Sequence, residues 1–360
     1  MDPIRGSQLH AGAEGRSHVG GRAWFRINSD GLRDRERSLA KPPGTVRIAV
    51  LGDSFAEALQ VDAPSGFCSV LERQLTRRGA FGGRAVEVIN FGSSGYATSH
   101  ELLTLRHHVW KYSPDVVLLA FFTGNDVKGN QADLALEKLG PFFRYRQGRL
   151  VQDDSFRQAY RSGPLFESLR EARDGLIDRS RLLQVYHEAR RKRQARQQSP
   201  EATPEDAAAG IEPGVDHLVF SPSRTPEWEE AWRITEDLLR LLRDETNAKG
   251  AQFWLVTLSC GVQVHPDLAF RLAFQQRFGI EDLFYPDRRL EEFSRREQIQ
   301  SVVLAPALSE YALRHGVFMH GFPNSRLGAG HWNETGQRLA GEMIAERLWP
   351  LSAAAAGSSP

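Results

Sequence analysis

Disulfide chemistry has little to work with in this chain. Its 360 residues include two cysteines, Cys68 and Cys260, far apart in sequence. Cys68 falls in an amphipathic helix pattern and Cys260 at the end of an apolar strand pattern. Both read as buried thiols, and their spacing does not argue for a bridge. An excess of one charge is lacking too: 46 Lys and Arg stand against 45 Asp and Glu, a formal net charge of +1. That balance gives no global pull toward nucleic acid or an anionic membrane, so neither is expected as a partner. No apolar run is long enough to span a bilayer. The opening stretch MDPIRGSQLHAGAEGRSHVGG has no apolar signal core. The chain reads as soluble, with its compartment, cytoplasm or cell envelope, left open. No histidine pair has metal-ligand spacing together with a cysteine or acidic partner, so no metal and no cofactor is expected.

Apolar residues make up 41% of the sequence, enough for a substantial core. Residues 1–45 form an arm with little periodicity, containing a turn signal at Ser29-Asp30-Gly31. VRIAVL (46–51), VEVIN (86–90), DVVLLAFF (115–122) and QFWLVTLS (252–259) are short apolar runs that read as strands, as does SVVLA further on. Between the first three lie helical patterns. SGFCSVLERQLTRRG carries Phe67, Val70, Leu71 and Leu75 on one face, with Ser65 as its expected cap. SHELLTLRHHVWKYSP stops before Pro114. Strands that are apolar almost throughout, alternating with helices, predict a parallel sheet covered on both faces. The expected fold is therefore a three-layer α/β/α sandwich with a mostly parallel central sheet.

From about 129 to 224 the alternation breaks. PFFRYRQGRLVQ predicts a hairpin turning at Gln147-Gly148. A charged helical stretch ending in ARRKRQARQQ follows, then the low-complexity SPEATPEDAAAGIEPG. This region reads as an insertion, either a lid or substrate wall or a peripheral decoration. Its basic run reads as a solvated helix end. A long helix should begin at the cap Thr225, with Pro226 as first helical residue and Gly250 as stop. A last helix should follow Asn333, and 351–360 reads as a disordered tail. The resulting division is an arm (1–45), a main domain (46–350) holding the insertion, and the tail.

Three stretches that carry chemistry each end a predicted strand, the edge where open parallel sheets bind ligands. They are Gly52-Asp53-Ser54, the segment from Asn90 to Gly95, and Gly124-Asn125-Asp126. A fourth, HWNETG from His331, precedes the last helix. Singly each is a common turn. In this order they resemble the SGNH hydrolases, the GDSL esterase/lipase superfamily, and the likeness covers about 46–128 and 225–349. The resemblance implies Ser54 as nucleophile and His331 as general base. It implies an oxyanion hole made of the Ser54 and Gly95 backbone N–H groups and the Asn125 carboxamide. A serine hydroxyl needs a neighbouring base to become nucleophilic, and an oxyanion needs fixed donors. His331 lies near a helix N-terminus, whose field disfavours the imidazolium. The implied function is hydrolysis of a small-molecule or glycan ester through an acyl-serine. An O-acyltransferase acting on a polysaccharide and a non-catalytic carbohydrate- or acyl-binding module are the alternatives. The oligomeric state is left open.

The sequence departs from the family in one place. The aspartate that usually stands three residues before the histidine, or close to it, is replaced here by Gly328, followed by Ala329 and Gly330. His331 is then held by a backbone carbonyl in a Ser54–His331 dyad, or by a distant acid such as Asp267, or the chain is a binder.

Overall fold

The computed structural model describes residues 2–18, 20–135, 140–157, 175–177, 179–186, 190, 211–212 and 214–356. The basic run and the low-complexity segment of the insertion fall largely outside them.

Strands β1 (Glu14–Ser17) and β2 (Ala23–Arg26) pair antiparallel within the arm. The arm therefore has a hairpin that its weak periodicity did not announce. Then come β3 (Thr45–Gly52), β4 (Ala85–Asn90) and β5 (Val116–Phe122). The hairpin β6 (Phe142–Arg146) and β7 (Arg149–Asp153) turns at Gln147-Gly148, both at positive φ. β8 (Gln252–Leu258) and β9 (Gln300–Val303) complete the set. A five-stranded parallel sheet runs in the order β4-β3-β5-β8-β9. Every residue of β3 and β5 is buried, as strands covered on both faces require.

The helices follow from capping and from apolar stripes. A one-turn helix α1 (Ser54–Glu57) follows β3 at once. α2 (Phe67–Arg77) buries Phe67, Val70, Leu71 and Leu75, the expected face. Its expected cap fails: Ser65 lies in a preceding 3-10 turn, and Gly66 holds the cap position without a side-chain bond. α3 (Thr98–His107) and the short α4 (Asp126–Gly129) follow β4 and β5. α5 (Pro226–Ala248) begins where expected, with Thr225 Oγ1 accepting from Trp228 N. α6 (Leu268–Phe278), α7 (Tyr285–Arg296) and α8 (Ala305–His315) precede α9 (Glu334–Ala356). α9 runs on to Ala356, into the stretch expected to be disordered, because its run of alanines is the best helix former available. Residues 357–360 lie outside the described residues.

The connection β3→β4 moves one way along the sheet, and β4→β5 crosses back over β3. Right-handed crossovers then put α2 and α3 on opposite faces. α2 packs on α9, while α3 packs on α5, which lies over β8. This is the three-layer sandwich. Because the chain departs from β3 toward β4 on one side and from β5 toward β8 on the other, the crevice at the carboxyl ends of β3 and β5 is the natural ligand site.

Candidate active site

Sheet register brings the motif residues together. Val50 pairs with Asn90 and Gly52 with Ala120, so β3, β4 and β5 end on one edge. Just beyond β3, Asp53 caps α1 by accepting from Phe55 N at 2.9 Å. The cap turns the chain sharply, and Ser54 is the first residue of the new helix. Its N–H therefore has no intrahelical acceptor. Asn90 ties the neighbouring strand to this turn. Its Nδ2 donates to Ala56 O at 2.7 Å, and its Oδ1 accepts from Gly92 N at 2.9 Å. Residue 92 has to be glycine here, since a Cβ would lie 2.5 Å from Ala56 Cβ and 2.6 Å from Glu57 N.

His331 arrives from the far end of the chain, three residues before α9. Its Nε2 lies 2.8 Å from Ser54 Oγ, across 277 residues of sequence. The ring sits beside Phe55 at 5.2 Å between centroids, and Phe55 in turn stacks on Phe122 at 4.2 Å. Burial pushes the imidazole down to about 4, so it is neutral at neutral pH and free to accept a proton. Among the described residues no side chain or carbonyl forms a hydrogen bond with its Nδ1. Asp267 is spent elsewhere: it is exposed and caps α6, accepting from Ala269 N at 2.8 Å and Phe270 N at 3.4 Å.

Asn125 reaches the same edge from the end of β5. Its Nδ2 donates to Asp53 Oδ2 at 3.1 Å. An amide nitrogen carries two hydrogens, so one stays available. The Asp53 carboxylate also fixes which way the amide faces, because the reverse orientation would set a carbonyl against it. The N–H groups of Ser54 and Gly95 make no hydrogen bond among the described residues, and Gly95 is exposed at φ +82°. The expected residues Ser54, Gly95, Asn125 and His331 thus all lie at one sheet edge, and Ser54 and His331 are in direct contact.

Beneath the edge lies a layer of buried acids, of which sequence reasoning left Glu101 unmarked. Asp53, Glu101 and Asp126 are each fully buried. Burial pushes Asp53 up to about 6, with Glu57 adding to the rise. Burial and then the neighbouring Asp53 raise Glu101, and burial followed by Glu101 and Asp53 raises Asp126. Asp126 accepts from Phe122 N at 2.8 Å. Neither oxygen of Glu101 has a hydrogen-bond partner among the described residues. Glu212, His265 and His320 surround the loop leading to His331, and of these sequence reasoning missed Glu212 altogether. Glu212 lies in the low-complexity GIEPG stretch, where no periodicity or motif marks it.

Fold and site define a parallel α/β sandwich with a serine–histidine pair at its carboxyl edge. No protein-family model and no curated protein matches the sequence. Among solved structures the chain is similar to LAE5, an α/β hydrolase enzyme from the metagenome of Lake Arreo, Spain. The identity is 15% over 86% of this chain and 95% of that one, with a TM-score of 0.40. It is similar to a lipase/acylhydrolase from Enterococcus faecalis at 13% identity, over 85% of this chain and 96% of that one, TM-score 0.41. It is also similar to the acetyl xylan esterase AlAXEase at 11% identity, over 85% and 99%, TM-score 0.39. At such identities and scores the reaction has to be read from this chain's own side chains.

Proposed function

We propose that this protein is a serine hydrolase of the SGNH type that cleaves a carboxylic ester, acyl or acetyl, through an acyl-serine. The observation that carries this reading is the 2.8 Å contact between Ser54 Oγ and His331 Nε2 at the edge where Asn125 also arrives. Ser54 Oγ attacks the ester carbonyl and its proton passes to His331 Nε2. The carbonyl oxygen becomes an oxyanion facing the free N–H groups of Ser54 and Gly95 and the second hydrogen of Asn125 Nδ2. The intermediate collapses, and the leaving alkoxide takes the proton from His331. Water then attacks the acyl-serine, giving one proton to Nε2; the second tetrahedral intermediate expels Ser54 Oγ, which takes that proton back, and the carboxylic acid leaves. A neutral base is in place throughout the neutral range because burial keeps His331 uncharged.

The test is turnover of p-nitrophenyl acetate by the wild type and by Ser54→Ala, each assayed with and without an added sugar acceptor. Release of p-nitrophenol and free acetate by the wild type, lost in Ser54→Ala, is the expected result. Acetyl-sugar in place of acetate would make the protein a transferase. A folded wild type with no turnover would count for a binding module.

A further inference from the structure

Among the described residues no side-chain acid holds the His331 ring, yet the backbone leading to it is fixed. Gly330 precedes His331 at φ +80°, a left-handed conformation with no side chain to anchor it. Left alone, a Gly-Ala-Gly approach would let the base wander. Both peptide units in front of His331 are instead gripped by buried side chains. On one side Glu212 Oε2 accepts from Gly330 N at 3.2 Å. Its Oε1 accepts from Val262 N at 2.8 Å, which ties the loop to the segment after β8. On the other side His320 Nδ1 lies 2.5 Å from Gly330 O. A carbonyl accepts only, so Nδ1 carries the proton and Nε2 accepts. Ser259 Oγ fills that role at 3.0 Å, donating to Nε2, and receives the Trp332 Nε1–H at 2.9 Å. His320, Ser259 and Trp332 are all fully buried. Burial holds His320 down to about 3, so the ring stays neutral over the working range.

We infer that Glu212 and His320 are positioning residues for His331, clamping the peptide units on its N-terminal side in place of a carboxylate on its ring. The inference rests on the reading of Ser54 and His331 as nucleophile and base. The clamp sets where Cα and Cβ of His331 stand. Downstream, Gly321 N donates to His331 O at 3.0 Å and Asn333 N to Met319 O at 2.9 Å, closing the frame. The remaining rotation of the ring is bounded by Phe55. Glu212 belongs to the 129–224 segment, so that segment helps build the catalytic centre through one carboxylate. A clamp differs from an acid in one respect: it orients the base and leaves the imidazolium without a partner.

The test compares His320→Phe, His320→Asn and Glu212→Gln with the wild type in p-nitrophenyl acetate turnover, kcat and KM separately, at a temperature where each is folded. Phe keeps the ring volume and loses both hydrogen bonds. Asn places its Nδ2 near the position of Nδ1–H and keeps the bond to Gly330 O. A displaced base slows chemistry more than binding, so His320→Phe should lose on the order of 10–100-fold in kcat with KM nearly unchanged. His320→Asn should recover most of that loss, and Glu212→Gln should lower kcat in the same way. Equal kcat in wild type and His320→Phe would overturn the clamp, as would Asn performing no better than Phe. If neither position-320 variant folds, Glu212→Gln decides: a lowered kcat supports the clamp and an unchanged one overturns it. A wild type that neither turns over the ester nor labels at Ser54 with a fluorophosphonate overturns the dyad reading itself, whereas labelling with unaltered kcat in all variants overturns the clamp alone.

Discussion

The imidazole of His265 stands where a side chain at residue 328 would begin. A Cβ built on Gly328 lies 2.5 Å from His265 Cδ2 and 2.8 Å from its Nε2. The ring is not free to leave, because Phe270 stacks on it at 4.1 Å and Phe318 meets it edge-on at 5.2 Å. Its Nδ1 accepts from Asp267 N at 3.2 Å, so the neutral ring carries its proton on Nε2. Gly328 itself sits at φ +82°. The place of the usual orienting aspartate is thus closed by backbone conformation and by a neighbouring ring.

It follows that Gly328→Asp does not rebuild a triad. The substitution should cost about 1–3 kcal/mol of stability through strain and crowding, and should leave kcat at or below the wild-type value. Thermal unfolding and ester turnover on the same sample check both parts. A gain in kcat would show that the slot opens.

The Asn125 amide is oriented by Asp53, and in the proposed reaction it offers its second hydrogen to the oxyanion. Asn125→Ala should lower kcat by about 10²–10³, the usual cost of one oxyanion donor, with a smaller effect on KM. Asn125→Asp should be worse, because it sets a second carboxylate against Asp53. Steady-state kinetics of both variants read this out directly.

The sheet, the strand ends and the four motif stretches were legible because each rests on local sequence: an apolar run makes a buried strand, and a Gly-Asp-Ser at its end makes a capped turn. The hairpin at Gln147-Gly148 and the start of α5 at Pro226 were legible for the same reason. What encloses His331 was not. Glu212 meets Gly330 across 118 residues, and Ser259 meets Trp332 across 73. Such pairings depend on how loops settle on a finished sheet, which no local pattern encodes. In the sequence His320 stands in MHGF with no local sign of a role. The fold shows it fully buried, with both ring nitrogens engaged. α6 and α7 went unread, and α6 carries its apolar residues without a single dominant stripe.

In the proposed reaction His331 sets the acid limb of the pH profile. A lone histidine in water titrates near 6.5. Burial moves this one down to about 4, so the free base persists well into acid. The log of kcat/KM for a neutral ester should be flat from neutral pH downward and bend near pH 4, with no step between 6 and 7. A bend near 6.5 would mean that the ring is hydrated or partnered in solution.

Glu101 makes an opposite, purely structural prediction. Its folded-state carboxyl is raised by burial and by Asp53, so it keeps its proton at pH values where the unfolded chain, titrating near 4.5, has lost it. Stability from this group is present below about 4.5 and declines as pH rises toward the folded value. Glu101→Gln removes the ionisation. Its stability should converge with the wild type near pH 4 and exceed it increasingly above, by about 1.4 kcal/mol per pH unit while the folded group stays protonated. Chemical denaturation at pH 4, 6 and 8 tests the sign and the slope.

The most direct measurement of the central claim is the rate of covalent labelling by a fluorophosphonate, followed by intact mass and located by peptide mapping, in the wild type and in His331→Ala. One adduct is expected, on Ser54, formed readily by the wild type and slowed by orders of magnitude when His331 is removed. No adduct on the folded wild type, an adduct on another residue, or an equal rate in His331→Ala would contradict it.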